Sequence, residues 1–150
     1  MSILMLLCLS FLTEDGTKNS DIKVSYTVGV AKSMVEIAIA NHSNQQYEYC
    51  RKGRALQFVL RQRRDSQSEW RITHWNRSGT GVDVVNIRPK EMHVWKVDLK
   101  NLDLGESADF QFGVIAQPKG ATGSDQENFR WGNSIDWTEE IKASDITLIR

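Results

Sequence analysis

The residues of this chain whose types and spacing could do chemistry are its tryptophans and arginines, and the chemistry they suit is recognition. Five tryptophans occur in 150 residues. Trp75 and Trp131 lie beside loops, flanked by Asn76-Arg77 and by Arg130, and Phe129 belongs to the same long loop as Trp131. A flat indole gives a large contact area for little lost side-chain freedom, and a neighbouring guanidinium adds directional donors, the usual anchors of protein recognition. Trp75, Arg77, Phe129, Arg130 and Trp131 are therefore the candidate binding residues. Loop aromatics that fold back onto the core edge are the competing reading. Trp70 and Trp95 fall in strand patterns and read as core, and Trp137 reads as the anchor of the final strand.

Catalytic constellations are missing from the sequence. There is no G-x-S-x-G elbow, and Cys50, between Tyr49 and Arg51, has no activating context. Glu139 and Glu140 alternate faces if they lie in a strand, so they cannot line one site together. Gly79-Thr80-Gly81 has no helix after it to complete a phosphate cradle. His42, His74 and His93 are scattered, with no Cys or His at ligand intervals. A non-enzymatic protein without metal or cofactor is expected. Cys8 and Cys50 are too few for a disulfide framework, and Cys50 reads as a free, buried thiol.

The formal net charge is +0, which removes any global argument for nucleic acid or an anionic membrane as partner. The distribution is less even. Arg51 to Arg77 carries eight bases against Asp65 and Glu69, and Asp98 to Asp145 carries ten acids against four bases. Solvated faces that attract one another across the fold are the plain reading, and a basic recognition face is the other. The basic stretch lacks the regular aromatic interleaving of single-strand binders, so nucleic acid is not an expected partner.

These residues need a scaffold, and the periodicity supplies a β one. Ile22, Val24, Tyr26, Val28 and Val30 alternate with Lys23, Ser25, Thr27 and Gly29, the mark of a half-buried strand. Val35-Ile37-Ile39 and Leu56-Phe58-Leu60 repeat the pattern, and Trp70-Ile72 reads as a further inward row. From Ile87 to Val114, two alternating runs flank a turn containing Gly105. Both Met92-Val94 and Trp95-Val97-Leu99 offer themselves to the core there, and Phe110-Phe112-Val114 forms the second run. Pro89 reads as a strand start, and Ile146 with Leu148 as the last strand. Gln117 to Asn133 is the longest stretch without periodicity, long enough to read as functional or disordered. No segment keeps a helical period. The expected fold is all-β, an immunoglobulin-like antiparallel sandwich of about seven to nine strands, spanning residues 21–150 as one domain. Asn41-His42-Ser43 and Asn76-Arg77-Ser78 are glycosylation triplets, meaningful only in a eukaryotic secretory setting.

Ahead of that domain, Ile3 to Leu12 is an uninterrupted run of ten largely apolar residues, and 13–20 reads as a linker. The run is too short to span a bilayer as a helix but suits the core of a signal peptide, with cleavage before Phe11. No Lys or Arg precedes it, and Leu7 is bulky for a lipidated Cys8. It is read as an export signal or its remnant, with a first core strand as the alternative.

Several motifs resemble known sandwiches. Glu106-Ser107-Ala108-Asp109-Phe110-Gln111-Phe112 resembles the corner before strand F of immunoglobulin-like domains. Val35 to Asn41 with Tyr47, Leu56, Phe58 and Trp70 resembles the early strands of a group of bacterial immunoglobulin-like domains. That group includes the proteinase-inhibitor-like family typified by an intracellular inhibitor from bacilli. Ile87-Arg88-Pro89-Lys90-Glu91 ahead of Trp95 to Leu99 resembles its proline, acid, strand step, and Trp137-Thr138-Glu139 with Ser144, Ile146 and Leu148 resembles its closing strand. The chain departs from the pattern where Glu139 replaces Gly, where Phe110 replaces the corner Tyr, and in having no inter-sheet disulfide pair. The resemblance implies a sandwich and, for the inhibitor family, an exposed loop inserted into a protease cleft.

The expected function is thus an exported, non-enzymatic module that binds a protein partner through its loops. A proteinase inhibitor and a carbohydrate-binding module using exposed Trp are the alternatives.

Overall fold

The structure is a computed structural model and describes residues 21–31, 33–75, 81–102, 104, 109–120 and 135–146. Eleven strands occur among them, in chain order β1 (Ile22–Val28), β2 (Met34–Asn41), β3 (Tyr47–Lys52), β4 (Ala55–Leu56), β5 (Val59–Arg63), β6 (Arg71–Trp75), β7 (Val82–Ile87), β8 (Met92–Asp98), β9 (Asp109–Ile115), β10 (Gln117–Pro118) and β11 (Ile135–Trp137). All pairings are antiparallel. The fold is all-β, as the alternation requires. Among the described residues no helix is long and apolar enough to cross a membrane.

Three sheets form. The first has the order β1-β2-β8; in the second, β3 pairs with β7 along one edge and with β10 and β4 along the other; the third has the order β11-β9-β5-β6. The inner face of the first sheet supplies Ile22, Val24, Val35, Ile37, Ile39 and Val97 to the core. Tyr47, Tyr49, Leu56 and Ile87 come from the second sheet, and Leu60, Phe110, Phe112 and Val114 from the third. Two layers thus bury one continuous apolar interior, the arrangement that strands with one apolar face must reach. Phe112 sits at its middle, edge-on to Phe58 at 5.0 Å and to Phe110 at 5.7 Å between ring centroids.

The structure departs from the sequence reading at three strands. β8 buries Val97 with Leu99 just beyond it and turns His93 and Trp95 inward, so Met92 and Val94 face solvent. A strand can bury only one parity, and register with Val35, Ile37 and Ile39 of β2 selects the odd one. Trp70 lies outside any strand, and Ile72 is exposed rather than inward. Pro89 lies in the turn that joins β7 to β8, whose left-handed position is taken by Lys90 at φ 64. Ile146 follows a 3-10 turn at Ala143–Asp145 and packs against the core; Leu148 lies outside the described residues, as do the Gly105 turn and residues 1–20.

Candidate functional site

The outer face of the third sheet collects the recognition chemistry. Its register runs one row across four strands, Trp75 of β6, Val59 of β5, Gly113 of β9 and Trp137 of β11. The next row is Ile72, Arg61 and Gln111, and the one after pairs Arg63 with Asp109. Side chains alternate along a strand, so residues two apart share this face. A bulge in the β5–β6 ladder between Leu60 and Arg61 keeps both Trp75 and Ile72 on it.

Each row has a physical reason. A Cβ on Gly113 would run into Ile135 Cγ2 and meet the Trp137 ring at 2.8 Å, so only glycine lets β11 lay both side chains across β9. The Arg61 guanidinium carbon then stands 4.0 Å from the Trp137 ring centroid and 5.0 Å from that of Trp70. Arg61 Nε donates to Gln111 Oε1 at 2.8 Å, and Gln111 Nε2 donates to the Thr138 carbonyl at 2.6 Å. Burial, reinforced by Arg63, pulls the Arg61 pKa below its ordinary value. Both arginines answer this with aromatic faces, since Arg63 also lies over Trp70 at 4.6 Å. Arg63 Nε and Nη2 grip the Glu140 carboxylate at 3.1 and 2.5 Å, and Lys142 Nζ bridges Glu140 at 2.9 Å to Asp109 at 3.1 Å. Hydrogen bonds from Arg63 and then Lys142 hold the Glu140 carboxyl down to about 2. The face therefore grades from apolar to charged along β5.

At the apolar end lies a pocket of about 50 Å³, lined by Cys50, Gln57, Phe58, Val59, Trp75 and Ile115. It opens where β3 takes over from the third sheet, marked by the Gln57 N–H donating to the Cys50 carbonyl at 3.1 Å. The Cys50 thiol is free and buried, as its context predicts, and burial with nearby Glu48 pushes it up to about 11. A raised pKa favours the protonated thiol, and the side chain forms part of the pocket wall.

A second polar cluster spans the sandwich. Trp95 Nε1 donates to the Tyr49 hydroxyl at 2.9 Å, and that hydroxyl meets His93 Nδ1 at 2.6 Å. The other ring nitrogen, His93 Nε2, lies 3.5 Å from Glu91 Oε1, so the imidazole links Tyr49 to Glu91. Burial pushes Tyr49 up to about 12, while the Arg88 backbone N–H and then its side chain hold Glu91 down to about 2. This chain ties β3 to β8 and explains why a half-buried Trp and His suit an inward face.

Of the residues read as binding, Trp75 is brought into the pocket wall; Arg77, Phe129, Arg130 and Trp131 lie outside the described residues. Trp70 and Trp137, read as core and as a strand anchor, join Trp75 on this half-buried face, together with Arg61 and Arg63. The spacing Arg61-x-Arg63 is the signal that could have found them, since it places two guanidiniums on one strand face. Among the described residues no group of three or more His, Cys, Asp or Glu could hold a metal ion. No family model matches the sequence, and no curated protein matches it.

Proposed function

We propose that this protein is a non-enzymatic binding module that engages a protein partner through the outer face of the third sheet and the loops entering it. The carrying observation is that Trp70, Trp75 and Trp137 share one partly exposed face with Arg61 and Arg63, next to a side-chain-sized pocket. Aromatic and arginine anchors around a small cleft are the make-up of interface hot spots. Guanidiniums already lie on the Trp70 and Trp137 rings, which favours a protein partner over a sugar stacked there.

An immunoglobulin-like topology fits this reading. The orders β1-β2-β8 and β11-β9-β5-β6 parallel the A-B-E and G-F-C-C′ orders of such domains, with the β3–β7 pair as an addition. The resemblance to bacterial proteinase-inhibitor-like sandwiches belongs to the same proposal, as does export directed by Ile3 to Leu12. An intact-mass measurement on host fractions tests export, which predicts a shortened species outside the cytoplasm.

The binding test uses immobilised protein exposed to host lysate, with captured proteins identified by mass. Trp75→Ala and Ile72→Glu, both folded by circular dichroism, are expected to lose the wild-type partner. Undiminished capture by both variants would sink the proposal. A panel of serine and cysteine proteases assayed at micromolar protein tests inhibition alongside it.

A further inference from the structure

We infer that the third sheet's outer face takes an extended acidic segment of its partner, with an aspartate or glutamate side chain docking on Arg61 and an apolar side chain two residues away entering the pocket beside Trp75. The inference rests on the binding role proposed for that face and adds the chemistry that the partner must carry.

Arg61 and Arg63 stand two residues apart on β5, yet their charges are met differently. Arg63 grips the Glu140 carboxylate, which Lys142 connects to Asp109. Among the described residues no carboxylate pairs with Arg61, and its side chain donates once, from Nε to the neutral amide of Gln111 at 2.8 Å. The N–H groups of Nη1 and Nη2 find no acceptor among the described residues. The rings of Trp137 and Trp70 attract the cation, but they do not accept its N–H groups as a carboxylate does. Burial and the like charge of Arg63 both weigh against the Arg61 cation. A carboxylate brought by a partner offsets both, and two parallel N–H bonds from one guanidinium suit it in geometry as well as charge.

The surroundings of Arg61 are accessible. Ile72, its neighbour in the β5–β6 register, is 53% exposed, and Trp70, Trp75 and Gln111 are half-buried. Val59, which lines the pocket, precedes Arg61 by two residues on the same strand face, a step of about 7 Å. An extended partner repeats its own side chains at that step, so one segment reaches the pocket and the guanidinium together. Beyond Arg61 the face continues to Arg63 and the exposed Lys142, so the segment runs on and the docking carboxylate belongs to a side chain rather than a chain end.

The test exposes the immobilised full chain to a displayed library of random linear peptides. Enriched sequences are expected to carry Asp or Glu two positions from Val, Ile or Leu. A synthetic peptide of that kind, blocked at both ends, should bind about tenfold or more weakly by titration calorimetry when its acid becomes the amide. That comparison leaves the protein unaltered, so it holds even where an Arg61 variant fails to fold. Arg61→Gln, folded by circular dichroism, should lose as much, and Arg61→Lys should recover only part, because an ammonium lacks the planar fork. Peptide binding should also shift the Arg61 Nε–H and Trp137 Nε1–H resonances. A library that yields no enriched sequence, enrichment without an acidic preference, or an amide peptide that binds as tightly as the acid overturns the inference. If peptides without that preference still need Trp75, the face stands as a binding surface and only its acidic partner falls. If they bind Trp75→Ala undiminished, the proposed face falls with it.

Discussion

At the residue scale, single side chains decide whether a turn or a strand crossing exists at all. Asn41 closes β2 with its amide buried: Nδ2 donates to the Gln45 carbonyl at 2.8 Å and to the Ile87 carbonyl at 3.2 Å, while Oδ1 accepts from the Ser43 N–H at 3.0 Å and from its hydroxyl at 2.7 Å. The triplet Asn41-His42-Ser43 folds as a self-bonded turn whose amide nitrogen is engaged in two hydrogen bonds. Asn41→Ala leaves the Ile87 carbonyl without its side-chain donor, and the expected loss is about 1–3 kcal/mol of unfolding free energy. Urea denaturation checks it, with Ser43→Ala, which removes only one end of the network, as the smaller comparison. The turn itself could be read from its polar residues. The burial of its asparagine could not, because β7 provides the second carbonyl from 46 residues away.

At the scale of elements, the segment after β11 is held to β9 by the bonds of Thr138 and a single β-bridge at Ile141 rather than by a continuous ladder. Thr138 exchanges bonds with Phe112, accepting from its N–H at 3.1 Å and donating to its carbonyl at 2.8 Å, and Ile141 does the same with Phe110. Glu140 then fastens the segment to β5 through Arg63 and to β9 through Lys142. A carboxylate whose folded pKa is depressed stabilises the fold above its unfolded value and loses that contribution as pH falls through the folded one. For Glu140 the window runs from about 4.5 down to about 2, and Glu91 contributes in the same window. Thermal midpoints measured across it should fall with acid. Glu140→Gln should lower the midpoint near neutrality and flatten the acid limb, leaving the part that belongs to Glu91. An acid limb identical to wild type would show that the ion pair does not fasten the segment.

For the whole molecule, one interior unites three sheets, and Phe112 is its hub. Phe112→Ala removes a fully buried ring that two other phenylalanines meet edge-on, and an unfolding cost of about 3–5 kcal/mol is expected by chemical denaturation. Loss of that size would take much of the stability of a domain this small. A Phe112→Leu variant, which keeps most of the volume, should recover the larger share.

Alternation of apolar residues by itself determined that the chain is all-β and that β2 and β9 have the inner faces they have. In the first strand it holds from Ile22 to Val28, while Val30, read as part of the same row, lies beyond the strand and is exposed. Residue type alone marked Cys50 as a buried thiol. Those properties depend on period and residue type, which are local. Tertiary structure alone decided which parity β8 buries, since Met92-Val94 and Trp95-Val97 are equally apolar and only β2's register separates them. It also decided that Trp70, Trp75 and Trp137 share a face. They are separated by up to 67 positions and meet only because β5 and β9 pair in the register that sets Val59 beside Gly113. Side-chain chemistry is written in the sequence, whereas the neighbours that turn it into a surface are fixed by long-range strand pairing.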